Sequence, residues 1–161
     1  MRIKWFSLIR ITGLLLVLLY HFFQTIFPGG FFGVDVFFTF SGFLITSLLL
    51  EEFGQKGKID ILGFFRRRFY RIFPPVVLMI LVIMPFTFLV RQDYVAGIGG
   101  QIAGVLGFMT NFYEMLTGGS YESQFIPHLF VHNWSLAVEV HYYILWGLAV
   151  WFLSKRAKSS G

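Results

Sequence analysis

The side chains able to do chemistry in this chain stand out against an oily background. Arg10 and His21 bracket RITGLLLVLLYH, a run that is otherwise almost wholly apolar. They lie eleven positions apart. At about 100° per residue that closes about three helical turns, so one helix face carries both. The rise of ~1.5 Å per residue separates them by roughly 16 Å along the axis. With Arg10 near the cytoplasmic interface, His21 is expected near the middle of a ~30 Å hydrocarbon core. An imidazole there either hydrogen-bonds a neighbouring helix or acts as a general base toward a hydroxyl, because it titrates near working pH. Asp35, in GVDVFF, opens the next apolar stretch. It either caps its own helix start or meets His21 at similar depth across a hairpin, where a carboxylate would orient the ring.

Two further groups follow. GFFRRRFYRIFPP carries Arg66, Arg67, Arg68 and Arg71. If the segment is helical, Arg68 and Arg71 share a face, and paired guanidinium groups suit phosphate because they bind it bidentately. The same residues also satisfy the demand for positive charge on the inner side of a span. HNWSLAVEVHYY then places Glu139 and His141 inside an apolar stretch. Glu139 needs a partner at that depth, either as a tie between helices or as part of a reactive centre.

The elements that must position these groups are membrane helices. Of 161 residues, 57% are hydrophobic and 13% charged, against about 25% charged in soluble domains. The absence of cysteine excludes disulfides, thiolate metal sites and cysteine nucleophiles. The net charge of +5 is read as topological, so no nucleic acid is expected as a partner, and no metal. The basic N-terminus and first apolar run lack a small-residue cleavage site and are read as a retained helix. A span needs ~20 mostly apolar residues. The expected fold is therefore all-α, a polytopic transmembrane bundle of about five spans at 5–27, 31–50, 74–90, 94–113 and 134–153. Pro85 is expected to kink the third. Charge places the N-terminus and a 51–73 loop in the cytoplasm. Five crossings leave Lys155, Arg156 and Lys158 outside. The alternative has four crossings, with 91–133 outside and partly re-entrant. In the fourth stretch, Ala96, Gly100 and Gly104 recur at the spacing that lets helix backbones approach closely.

These segments resemble, in order, the acyltransferase-3 family of integral membrane acyltransferases. Arg10 and His21 look like its first-helix Arg–His motif. GVDVFFTFSGFLIT (33–46) is similar to its GVD-FF-SGFL segment, RRRFYRIFPP (66–75) to its RR-x-x-RI-P loop, and NWSLAVE (133–139) to its WSL-x-x-E segment. The opening residues also look similar to peptidoglycan O-acetyltransferases of Gram-positive bacteria. The chain departs from the family's WSL-x-x-EE-QFY at Val140 and His141. The resemblance implies transfer of an acyl group, often acetyl, from cytoplasmic acyl-CoA to a carbohydrate hydroxyl. It implies a catalytic His21 supported by Arg10, with Arg68 and Arg71 meeting the coenzyme. Asp35 and Glu139 join the expected catalytic set. The family's membrane domain has about twice as many helices, so residues 1–161 are expected to be its N-terminal part, in a cell membrane and partnered by lipid and the missing C-terminal helices. The alternatives are a non-catalytic remnant or membrane subunit, and a small transporter or proton pathway.

Overall fold

The computed structural model describes residues 4–23, 25–89, 95–117 and 128–159. Helices α1 (Lys4–Phe22), α2 (Gly33–Lys56), α3 (Ile61–Ile83), α4 (Ile98–Leu106), α5 (Thr110–Thr117) and α6 (Trp134–Ser159) carry the described chain, and no strand occurs among the described residues. Two units separate at the Gly57–Lys58 junction.

The first unit is a hairpin of α1 and α2 joined through a 3-10 turn, Pro28–Phe32. Its helices meet through glycines. A Cβ on Gly33 would come within 2.7 Å of the Gly13 carbonyl oxygen and 2.8 Å of Val17. One on Gly30 would run into the Leu16 carbonyl oxygen, and Gly13 itself faces the Phe37 ring. Lipid supplies no hydrophobic drive between helices, so association rests on such close van der Waals approach. The far end of α2 stops at Gly57, whose φ of 63° is left-handed and whose N–H bonds the Phe53 carbonyl. Lys56 lies in the last turn, 3.1 Å from Glu52, where a cation complements the helix dipole.

In the second unit, α3 starts earlier than expected. The Asp60 side chain accepts the Gly63 N–H at 3.0 Å and caps the helix. The helix then runs through Pro74 and Pro75 to Ile83. The expected 51–73 loop is therefore mostly helix, and its four arginines are helical residues. The prolines remove the donors that would have met the Tyr70 and Arg71 carbonyls. Packing on both sides of them holds the helix together. Upstream, Gly147 of α6 lets Phe64, Phe65 and Ile61 close in, with Phe64 Cε1 3.1 Å from the place of an added Cβ. Downstream, Val76 and Ile80 are buried with Val105 and Phe130. Pro85 does mark a break: regular helix ends at Ile83 and Met84–Leu89 continues as a 3-10 helix.

The expected fourth span is instead two short helices of 9 and 8 residues, each well under the ~20 needed to cross. Phe108 turns the chain with a left-handed φ of 53°, and Met109 N–H bonds the Gly104 carbonyl at 2.7 Å. Helix α5 then folds back so that the Tyr113 ring fills the space beside Gly100 and Gly104. The small-residue stripe thus receives an aromatic ring.

Among the described residues, three segments are long and apolar enough to span a membrane: Pro28–Lys56, Ile61–Leu89 and Val131–Ala157. Large apolar side chains remain uncovered along them, such as Phe88 at 92% and Leu145 at 71% exposure. Apolar surface on that scale requires lipid or further protein against it. The protein is thus a helical membrane protein. Helix α1, at 19 residues, ends at Phe22, short of the expected residue 27. At the end of α6, Lys155 lies 3.9 Å over the Trp151 ring and Arg156 4.7 Å over Phe152.

Candidate active site

In the first unit, α1 is unbroken from Lys4 to Phe22, so the backbone sets Arg10 and His21 on one face as their spacing requires. The Arg10 side chain lies outside the described residues. His21 occupies the last turn of α1, is exposed, and stands edge-on to Phe22 with ring centroids 6.4 Å apart. It therefore sits at a helix end rather than midway along a longer span.

Asp35 is exposed in the first turn of α2, where the helix dipole favours a carboxylate. The contacts of Gly13, Gly30 and Gly33 fix the hairpin register. Asp35 is level with the turn of α1 around Gly13 to Leu16, whereas His21 is more than a turn away, beside the 28–32 connection. The hairpin brings the two onto neighbouring helices at different heights.

In the second unit, motifs distant in sequence converge. Arg68 of α3 is half-buried, 5.5 Å from the centroid of the Phe64 ring and 5.9 Å from that of Tyr143 on α6. Cation–π contacts of this kind contribute about 0.5–2 kcal/mol, more when desolvated. The Tyr143 hydroxyl in turn donates to Glu139 Oε1 one turn earlier on α6. Arg68, Tyr143 and Glu139 thus form one chain of contacts across α3 and α6, made reachable by the small surface of Gly147. Arg71 lies one turn beyond Arg68 and is exposed, as are Arg66 and Arg67. The result is an anchored guanidinium with exposed ones around it, a surface that can take up phosphate.

Tyr143 did not figure among the residues expected from sequence. Its signal was present as the i+4 neighbour of Glu139 in EVHYY. A second missed pair lies elsewhere in the same unit: Glu114 of α5 and His128, with Oε2 and Nδ1 2.7 Å apart.

Comparison with known proteins places these motifs in context. A family profile described as an acyltransferase domain matches residues 3–160. The O-acetyltransferase OatA of Staphylococcus aureus, strain NCTC 8325 / PS 47, is 34% identical over 150 residues, covering 93% of this chain and 25% of the relative. The OatA of strain COL gives the same identity and coverage. The chain spans about a quarter of the length of these curated relatives. No solved structure matches it. With the match running nearly end to end and the Arg–His, GVD, RRR and WSL segments in order along it, the chain belongs to the acyltransferase-3 family.

Proposed function

We propose that the protein takes part in O-acyl transfer at a cell membrane, moving an acetyl group from acetyl-CoA to a hydroxyl of a cell-surface carbohydrate such as peptidoglycan. The observation that carries this reading is the acyltransferase match over residues 3–160, supported by relatives named as O-acetyltransferases.

The donor side is assigned to α3. The apolar segment Ile61–Leu89 has 29 residues, about 43 Å at ~1.5 Å each, longer than a ~30 Å core. From Arg71 to Leu89 the segment covers roughly 27 Å at ~1.5 Å per residue, close to the thickness of that core. The arginine turn then falls at the cytoplasmic interface, with the N-terminus on the same side. There Arg68, steadied by Phe64 and Tyr143, and Arg71 beside it contact the coenzyme phosphates. His21, in the last turn of α1, takes the proton of the acceptor hydroxyl or relays the acyl group, with Arg10 on the same helix face in support. As the new ester forms, the thioester C–S bond breaks and the coenzyme thiolate leaves with a proton. Glu139 orders the Tyr143 hydroxyl that backs Arg68.

Isothermal titration of acetyl-CoA into purified protein tests the donor assignment. Arg68→Ala with Arg71→Ala is expected to weaken binding by ~10²-fold or more, since each lost charge-assisted contact costs about 1.5–3 kcal/mol. Unchanged affinity with altered insertion would return these residues to a purely topological role.

A further inference from the structure

A polar cluster in the second unit belongs to none of the family segments. Glu114 and His128 are paired at 2.7 Å, with only 7% and 14% of their side chains exposed. No lysine or arginine occurs in 95–117, in 128–133, or in 76–84 of α3, the regions that surround the pair's own helix and packing core. The titratable groups nearby are Tyr113, whose ring centroid is 5.6 Å from that of His128, the exposed His132 in the following turn, and His141 of α6 against Phe112. A buried carboxylate without a partner is costly, and the partner of Glu114 among these described elements is the His128 imidazole.

On the same side of α5, three oxygens are buried without a hydrogen-bond partner: Thr110 Oγ1, Asn111 Oδ1 and Glu114 Oε1. Thr110 is 1% exposed and Glu114 6%. Positions 110, 111 and 114 fall on one helix face. Native proteins leave few such atoms unsatisfied, and all three accept hydrogen bonds. The arrangement therefore lacks a donor: a hydroxyl or a water. Glu114 binds Nδ1, which in the matching tautomer directs the lone pair of His128 Nε2 away from the carboxylate. Carboxylates orient general-base histidines in this way.

We propose that Glu114 and His128 form a second proton-accepting dyad, with Thr110 and Asn111 ordering the hydroxyl or water that feeds it. In the step it serves, the O–H bond of the acceptor hydroxyl breaks and an N–H bond forms at Nε2. Glu114 offsets the imidazolium charge. The proton then passes to the departing group of the acyl donor, whose bond to the acyl carbon breaks as the ester forms. The dyad rests on the acyl-transfer reading above.

The test combines two readouts on the membrane-embedded protein. Nitrogen NMR of labelled histidines is expected to show His128 protonated at Nδ1, with Glu114→Gln abolishing that preference. Acetyl transfer from labelled acetyl-CoA is expected to lose about 10²-fold or more in kcat on His128→Gln, with KM little changed and helicity intact. An Nε2-protonated His128 overturns the dyad, as does full turnover by His128→Gln. Absence of transfer by the unmodified protein instead overturns the acyl-transfer reading, and the nitrogen spectra then decide the dyad's geometry separately.

Discussion

The two units hold their candidate residues by opposite means. In the first, Gly13, Gly30 and Gly33 bring two helices into backbone contact, and the chemistry-bearing residues His21 and Asp35 lie exposed at helix ends. In the second, bulky rings and buried polar groups do the joining: Phe64 against Gly147, Arg68 between two rings, Tyr143 on Glu139, His128 on Glu114. A side chain exposed at the end of a helical hairpin lies within reach of a substrate. One clamped between rings is held in place before any substrate arrives. The first pattern suits a group that reaches out to substrate and the second suits groups held in place beforehand, so substitutions in the two units should fail differently.

The largest effect is expected at His21. His21→Ala should lower acetyl transfer by about 10²–10⁴-fold, the range for a lost general base, or ~2.7–5.5 kcal/mol of transition-state stabilisation. Acetyl-CoA affinity should be unchanged, since the groups proposed to bind the donor lie on α3. A binding loss from this substitution would blur the division between the units.

Next comes the glycine seam. Gly33→Leu forces a Cβ to within 2.7 Å of the Gly13 carbonyl oxygen, and overpacking of this kind costs about 1–3 kcal/mol. Hydrogen exchange should rise along α1 and α2. Unchanged exchange there would show that the glycine contacts do not hold the hairpin together.

The smallest effect is expected at Tyr143. Tyr143→Phe keeps the ring under Arg68 and removes only the hydroxyl bonded to Glu139. The loss should be about 0.5–1.5 kcal/mol, typical of one hydrogen bond, read as a two- to tenfold weaker acetyl-CoA affinity. Tyr143→Ala, which also removes the ring, should weaken binding further; equal effects of the two would assign no part to the cation–π contact.

Much of this was legible in the sequence. The long apolar runs of α2 and α6 specify helices whatever surrounds them, and the motif residues Arg68 and Glu139 could be picked out by type and spacing. The misreadings have local causes. Pro74-Pro75 reads as a helix start because proline favours the first turn, yet the capping Asp60 begins α3 fourteen residues earlier, and packing on both sides carries the helix through. Residues 94–113 read as one span because hydropathy does not register the left-handed turn at Phe108. The His21–Asp35 register depended on where the glycines touch, which no periodicity encodes. Tyr143–Glu139 is an i,i+4 pair and was within reach of sequence reasoning. Glu114–His128 spans fourteen positions, from α5 to a residue outside any helix, so only the fold brings it together.

The most direct test of the account supplies labelled acetyl-CoA to the cytoplasmic face of membranes containing the protein and follows the label. The account predicts base-labile acetyl esters on carbohydrate hydroxyls, formed with the unmodified protein and lost with His21→Ala. Label that never reaches carbohydrate, or that reaches it equally with His21→Ala, would contradict the central claim.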